Sequence, residues 1–137
     1  MKQYTLCELT KWELDAVWEL MKKLPEFSGN VSRETLNQLL AQGKMQLWAE
    51  PDALTPVAVM VTEIQITGHG KRVNVLAFAG KNVDERRQMF ASIKNWARKN
   101  GAGALRAECK DAQMRLFSKE GFVKVANVIE LELNHDE

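Results

Sequence analysis

The sequence has few of the residues that mark disulfide-rich or metal-binding proteins. It contains two cysteines and two histidines in 137 residues, and neither Cys7 nor Cys109 has a second cysteine or a histidine at ligand spacing. A disulfide framework and a Cys/His zinc site are therefore not expected, and no metal is predicted. A reduced, cytoplasmic setting is the simplest interpretation.

Two further absences limit the classes of partner. No apolar run approaches the roughly 18 residues of a transmembrane span, and the first residues lack the apolar stretch of a signal peptide. The net charge is +1, from 19 basic and 18 acidic residues, whereas a general nucleic-acid binder needs a clear basic excess. We therefore expect neither a membrane nor nucleic acid in general as the partner.

The most informative stretch runs from Val73 to Gly101. An apolar segment, residues 73–79, predicts a buried strand with Val73, Val75 and Ala77 on one side and Leu76 and Phe78 on the other. Residues 80–82 form a break before a helix that runs from about Val83 to Asn100. The start of a helix presents free backbone N–H groups and the positive end of its dipole. Such strand–helix junctions commonly hold anions such as phosphate.

The order of predicted elements indicates an α/β fold in one domain over residues 1–137. Strands are predicted over residues 3–9, 45–50, 57–66, 72–79, 104–109 and 123–133, and helices over 11–24, 33–42, 83–100 and 112–120. Strand–helix–strand units occur only in the second half, which predicts a mixed sheet of about six strands flanked by about four helices.

Two segments and this element order resemble the GCN5-related N-acetyltransferase (GNAT) family over nearly the whole chain. Family members often carry Asn-x-x-Ala-x-x-Leu-Tyr-x-x-x-Gly-Phe. Here residues 110–122 read Lys-Asp-Ala-Gln-Met-Arg-Leu-Phe-Ser-Lys-Glu-Gly-Phe, with Leu116, Gly121 and Phe122 in common and with Lys110 and Gln113 in place of the Asn and Ala. Residues 96–101, Trp-Ala-Arg-Lys-Asn-Gly, resemble the end of the family's long helix. The resemblance implies a GNAT-like fold and, in active members, acetyl-CoA as the cofactor.

The chain departs from the family where active members bind the pyrophosphate. Their pattern is Gln/Arg-x-x-Gly-x-Gly/Ala, and here Lys81 occupies the first position while Asp84 and Arg86 replace the glycines. Glycine lets a phosphate approach the backbone closely, whereas the carboxylates of Asp84 and Glu85 would repel it. A like-charge pair about 5 Å apart costs about 3 kcal/mol at an effective dielectric of about 20, or about two decades of affinity.

A second departure concerns the proton donor. Many family enzymes have a tyrosine at the position of Phe117, and its hydroxyl protonates the departing thiolate. Phenylalanine has no proton to donate.

Two function classes follow. The first is a catalytically degenerate GNAT-fold protein that needs no cofactor and serves a protein partner in binding or assembly. Small virion proteins of short-tailed bacteriophages resemble GNAT domains that lack the glycine loop, which suggests a phage virion component, in the virion or the host cytoplasm. The second class is an active acetyl-CoA-dependent N-acetyltransferase with an atypical loop.

For the enzyme, the resemblance implies a set of site residues. Glu63 or Glu108 would act as the general base for the incoming amine. A strand glutamate is also well explained as a solvated partner of a nearby Lys or Arg. The cofactor would be held by Phe78, Ala79 and Gly80 through their backbone, and by Lys81, Asn82, Arg86 and Arg87 through contacts with the phosphates.

The remaining reactive or large side chains have ordinary interpretations. Cys109 is expected to be a small buried hydrophobe, because no activating base is visible beside it. His69 is expected at the tip of a hairpin. Trp18 and Trp96 fit the core faces of helices. Trp12 and Trp48 are candidates for a contact surface, but packing in the core or against a helix is the favoured interpretation for both.

Overall fold

The structure is a computed structural model that describes residues 2–4, 11–22, 38, 41–43, 45–80, 83–109 and 111–133. Within these ranges the chain forms five strands and three helices. In chain order they are β1 (Lys2–Tyr4), α1 (Lys11–Lys22), β2 (Gln46–Glu50), β3 (Ala58–Thr67), β4 (Gly70–Gly80), α2 (Val83–Lys99), β5 (Ala102–Ala107) and α3 (Asp111–Lys119). None of the described helices is long and apolar enough to cross a membrane.

The strands form one mixed sheet in the order β1-β2-β3-β4-β5. The first four strands pair antiparallel with their neighbours, and β5 pairs parallel with β4. The β3–β4 turn consists of Gly68 and His69, and Gly70 follows it with φ 119°. The predicted mixed α/β sheet and the position of His69 at a hairpin tip are confirmed.

Apolar residues on both sheet faces create two cores, as expected for central strands. One core lies under α1, where Val17, Trp18 and Leu20 pack against β2, β3 and β4. The other lies under α2 and α3 and includes Phe78, Phe90, Phe117 and other buried residues. We call these sides the α1 face and the α2/α3 face of the sheet.

A β-bulge in β4 changes which residues reach each face. Val61 is opposite Ala77 but Thr62 is opposite Val75, so Leu76 is an extra residue in β4. Strict alternation predicted Phe78 and Leu76 on one side and Val75 on the other. That prediction is wrong, because the bulge places Val75 and Phe78 in the same core under α2 and α3, while Leu76 packs toward α1.

The ends of α2 and α3 follow the sequence signals. Gly101, with φ 79°, follows α2, and Gly121, with φ 95°, follows α3. The Phe122 N–H donates to the Phe117 carbonyl oxygen at 3.1 Å, and the Gly121 N–H donates to the Ser118 carbonyl oxygen at 3.1 Å. This end of α3 places the Phe122 ring against Phe117, with 5.1 Å between ring centroids.

Two expectations need correction or fall outside the described residues. The sixth strand is wrong, because residues 123–133 form no strand. The predicted helix over 33–42 lies mostly outside the described residues, although Gln38 and Ala41 are helical. Trp48 has the favoured core packing, with its ring centroid 4.8 Å from that of Trp96, whereas Trp12 is 77% exposed.

The Trp48 indole is held by a buried hydroxyl, which gives the first prediction. Thr62 Oγ1 accepts from Trp48 Nε1 at 2.9 Å and donates to Gln46 Oε1 at 2.9 Å. Thr62→Val keeps the shape but leaves two polar partners unsatisfied, so we expect a loss of about 1–3 kcal/mol in the free energy of unfolding. Urea denaturation followed by far-UV circular dichroism measures it.

Thr55→Val is the control, because the Thr55 hydroxyl is exposed and makes only a 3.4 Å contact with Asp52 Oδ1. We expect a change within about 0.5 kcal/mol for that variant. Equal losses in the two variants would contradict the role of the buried hydroxyl.

Candidate functional site

Strands β4 and β5 separate at one end, and this opening adjoins the start of α2. Their parallel pairing ends where Val75 meets Ala107, but β4 continues to Gly80. The edge of β4 from Leu76 to Gly80 is therefore not paired with β5. The structure places Phe78, Ala79 and Gly80, the predicted backbone contacts for a cofactor, on this edge, with the Phe78 and Ala79 side chains buried.

The first turn of α2 presents the charged residues that the sequence indicated. Asp84 and Glu85 lie in this turn, with Asp84 exposed and Glu85 half-buried. Arg87 is exposed, and Arg86 is half-buried. Lys81 and Asn82, the other two predicted phosphate contacts, lie outside the described residues.

The Arg86 side chain packs directly on Gly80. A Cβ added to Gly80 would overlap Arg86 Cγ, and Arg86 Cδ lies just beyond it. Arg86 Nε is buried, and it has no hydrogen-bond partner within the described ranges. Arg86 occupies a position where the family that this chain resembles has glycine. Its long side chain therefore lies over Gly80, where a glycine would leave the backbone uncovered.

The two candidate bases lie apart in the sheet order, Glu63 on β3 and Glu108 just after the end of β5, where the sequence had predicted a strand residue. Glu63 is half-buried on β3, and its Oε1 accepts from Asn74 Nδ2 at 3.1 Å. Asn74 Nδ2 also donates to Gln65 Oε1 at 3.0 Å, while Asn74 Oδ1 is buried and has no partner among the described residues. Glu108 is exposed just beyond the end of β5, two strands away from Glu63.

The residue at the proton donor position is part of the core. Phe117 is 3% exposed, and its ring packs edge-on against Phe90 with 5.8 Å between centroids. Phe122 packs on both rings. The described aromatic cluster around Phe117 therefore consists of phenylalanine rings and contains no phenolic hydroxyl.

Cys109 follows β5 and is half-buried. Burial raises the pKa of the Cys109 thiol, and the Asp111 carboxylate raises it further. Because the thiolate is the nucleophile, this environment does not favour covalent catalysis. The described residues contain no cluster of three or more His, Cys, Asp or Glu side chains that could hold a metal ion.

The sequence did not reveal a large cleft beside β5. The cleft has a volume of about 940 Å³ and lies between β5, α3 and residues 123–128. Glu108 and Cys109 line it, whereas none of the described residues of the predicted cofactor set does. We call it the β5 cleft. One wall of the cleft belongs to the segment after Phe122, for which the sequence predicts a sixth strand and not a cleft.

The chain matches no protein-family model, and no curated protein matches its sequence. Solved structures do resemble it. An aminoglycoside acetyltransferase from an uncultured soil metagenomic sample, in complex with sisomicin, has a TM-score of 0.70 at 10% identity, with 97% of this chain and 93% of that chain covered. A predicted acetyltransferase with acetyl-CoA from Clostridium acetobutylicum has a TM-score of 0.68 at 13% identity, with 98% and 97% covered.

A transcriptional regulator from Bacillus halodurans has a TM-score of 0.71 at 9% identity, with 96% of this chain and 99% of that chain covered. At such identities the likeness shows the fold alone. The fold is that of the GNAT acetyltransferases, so the fold that the resemblance implied is confirmed.

The contact between Gly80 and Arg86 gives a stability prediction. Gly80→Ala forces the new methyl group against Arg86, and we expect a loss of about 1–3 kcal/mol in the free energy of unfolding. In the Gly80→Ala/Arg86→Ala variant the obstruction is gone, so its stability should match that of Arg86→Ala. Gly68→Ala is the control, because no atom lies within 4 Å of its added Cβ. A Gly80→Ala variant as stable as Gly68→Ala would refute the contact.

The environment of Cys109 predicts its reactivity. The rate of alkylation by iodoacetamide should rise with pH to a midpoint above that of a free Ala-Glu-Cys-Lys peptide, because burial and Asp111 both raise the thiol pKa. Asp111→Asn should lower the midpoint. Mass spectrometry of the tryptic peptide that contains Cys109 measures both. A midpoint at or below that of the free peptide would show an activated thiol.

Proposed function

We propose that this GNAT-fold chain has lost acetyl-CoA-dependent catalysis and serves as a binding or assembly protein. The observation that carries the proposal is the packing of Arg86 on Gly80 at the strand–helix junction. A phosphate that binds at a helix start approaches backbone N–H groups closely. The Arg86 stem lies across that approach on the strand side.

The charges of the first turn of α2 support the same conclusion. Asp84 and Glu85 lie at the positive end of the helix dipole, where each carboxylate stabilises the helix by about 0.3–1 kcal/mol. The end of the dipole is thus compensated by the chain's own carboxylates. A diphosphate that entered would meet both negative charges.

The chemistry available near the opening also supports a role without catalysis. Phe117 is a buried ring at the position where many family enzymes have a proton donor. Cys109 is held as a thiol by burial and by Asp111. Phe117 has no proton to donate, and the environment of Cys109 does not favour a nucleophilic thiolate.

The finer form of the proposal is a virion component of a short-tailed bacteriophage. It rests on the resemblance to small virion proteins that have a GNAT-like domain without the glycine loop. Such a role requires a protein partner and no acetyl-CoA. Fold alone does not specify it, because one fold hosts many functions.

An active N-acetyltransferase is the second candidate, and two observations favour it. The β4 edge from Leu76 to Gly80 is not paired with β5, so its backbone could hold the arm of a thioester cofactor. Asn74 Oδ1 is a buried acceptor with no partner among the described residues, next to Glu63, where an incoming amine could donate. The Clostridium acetobutylicum neighbour is described with acetyl-CoA.

Calorimetric titration with CoA and acetyl-CoA tests the proposal. We expect no saturable heat up to about 1 mM ligand, since the charge repulsion alone removes about two decades of affinity. Asp84→Gly/Arg86→Gly restores glycine at both family positions and should raise the affinity for CoA at least tenfold. Asp84→Ala/Arg86→Ala is the matched control, which removes the charges but retains two Cβ atoms and should gain less.

Thiol release from acetyl-CoA, measured with a panel of amines that includes spermidine and sisomicin, is the companion assay. No turnover above the buffer rate is expected. Micromolar binding by the wild type, or turnover that falls by about 100-fold or more in Glu63→Gln or Glu108→Gln, would overturn the proposal in favour of the enzyme.

A further inference from the structure

Strands β3, β4 and β5 carry a row of polar side chains on the α1 face of the sheet. Glu63 is opposite Asn74 in the β3–β4 pair, and Arg106 is next to Asn74 in the β4–β5 pair. Side chains at paired positions lie on the same face, and Val75, the neighbour of Asn74, lies in the core on the other face. Helix α1 packs on the apolar part of the α1 face, on the other side of the bulge. We call Glu63, Gln65, Arg72, Asn74 and Arg106 the polar row.

Hydrogen bonds hold four side chains of the polar row in one cluster. Asn74 Nδ2 donates to Glu63 Oε1 at 3.1 Å and to Gln65 Oε1 at 3.0 Å. Arg72 Nε donates to the same Gln65 oxygen at 2.7 Å. Because Asn74 and Arg72 share this acceptor, the Arg72 guanidinium is held close to the Asn74 amide.

The Asn74 amide also contains an acceptor that the described residues leave without a partner. A carboxylate oxygen only accepts hydrogen bonds, so Asn74 Nδ2 has to face Glu63 and Asn74 Oδ1 faces away from it. This oxygen is buried and receives no hydrogen bond from any described residue. A buried acceptor that stays unsatisfied costs stability. The oxygen therefore indicates where a bound molecule would place a donor.

The two arginines of the polar row have no counter-ion among the described residues. Arg72 and Arg106 are half-buried and are diagonal neighbours across the β4–β5 pair. Neither has a carboxylate partner in the described ranges. Neighbouring guanidinium groups repel each other unless an anion lies between them. A carboxylate is the matching anion, because it accepts two parallel N–H bonds from a guanidinium.

These features together define the chemistry of a ligand. Glu63 and Asn74 Oδ1 accept from an ammonium group, and the two guanidinium groups donate to a carboxylate. Adjacent strands are about 4.8 Å apart, so the accepting and donating sides are close enough for two groups attached to one carbon atom. A polyamine would meet two like charges, and a simple carboxylate would leave the Asn74 oxygen without a donor. A zwitterion satisfies both sides.

We propose that the polar row binds a free α-amino acid on the α1 face of the sheet. The ammonium group of the ligand donates to Glu63 and to Asn74 Oδ1. Its carboxylate accepts from Arg72 and Arg106. Gln65 is a positioning residue, because its side-chain oxygen holds the Arg72 guanidinium beside Asn74.

The site goes beyond the proposed function and assigns no chemical step to Glu63, which acts here as a fixed charge. Binding of the amino acid does not require acetyl-CoA. The titration with CoA tests the loss of the cofactor, and a titration with amino acids tests the polar row. The failure of one proposal is therefore distinguishable from the failure of the other.

Calorimetric titration of the full chain with each of the twenty standard L-amino acids, without CoA, tests the site. We expect at least one to bind with a Kd of about 1 mM or lower. Its α-carboxamide lacks the carboxylate, and its deamino acid lacks the ammonium group. Each should bind more weakly by about tenfold or more, because each loses charge-assisted hydrogen bonds. Spermidine should give no saturable heat.

Paired changes in the protein and the ligand locate the carboxylate. Arg72→Gln/Arg106→Gln should weaken binding of the amino acid by about tenfold or more and leave that of the carboxamide unchanged, so that the two ligands bind alike. Glu63→Gln should weaken both ligands, because both carry the ammonium group. Arg115→Gln is the matched control, since Arg115 is exposed on α3 on the other side of the sheet, and it should change neither. Far-UV circular dichroism confirms that each variant is folded.

Three results overturn the proposal. The first is that none of the twenty amino acids binds at about 10 mM, ten times the expected Kd. The second is that the wild type binds the amino acid and its carboxamide equally well. The third is that a folded Arg72→Gln/Arg106→Gln variant retains the full preference for the amino acid, because the carboxylate then lies elsewhere.

Discussion

Strand β4 has one residue more than its partner β3 between Val75 and Ala77, and the features of the site depend on that bulge. Leu76 is the extra residue, and it marks the place where β4 stops pairing with β5. A bulge bends its strand and increases the local twist. Beyond it, β4 stays paired with β3 but not with β5 as far as Gly80, before the start of α2, and Phe78 turns into the core beside Phe90, with 5.0 Å between ring centroids.

The same geometry places Gly80 under Arg86. A strand that leads into a helix forms an anion site only if no side chain covers the backbone N–H groups there. Here the Arg86 stem covers Gly80, and Asp84 and Glu85 lie in the first turn of α2. The fold of the GNAT acetyltransferases is retained, while Arg86 packs over the Gly80 backbone at the end of β4. Our proposed function follows from that difference.

Most of the fold could be predicted from the sequence because its signals are local. The apolar face of α2, with Met89, Phe90, Ile93 and Ala97 buried, is visible as helical spacing, and Gly101 ends that helix as predicted. The face that Phe78 occupies could not be predicted, because one inserted residue shifts the alternation without any change in composition.

The sixth strand shows another limit of sequence reasoning. Residues 123–133 have the alternation of a strand, but a strand needs a partner edge, and no pattern within the segment specifies where that edge lies. The β5 cleft could likewise not be predicted, because it depends on the separation of two segments in space. Of the two candidate bases, Glu63 lies on a strand as predicted, whereas Glu108 lies just beyond the end of β5. Only the structure shows Glu63 bonded to Asn74 and Glu108 exposed two strands away.

The most direct measurement of the central claim is a ¹⁵N NMR titration with CoA that follows the Gly80 backbone amide and the Arg86 Nε–H. If the Arg86 side chain covers the junction, neither resonance should move in a saturable way at millimolar CoA. In Asp84→Gly/Arg86→Gly, which lacks the Arg86 Nε–H, the Gly80 amide should move. Saturable shifts at Gly80 in the wild type would show that the diphosphate reaches the backbone, and would contradict the account.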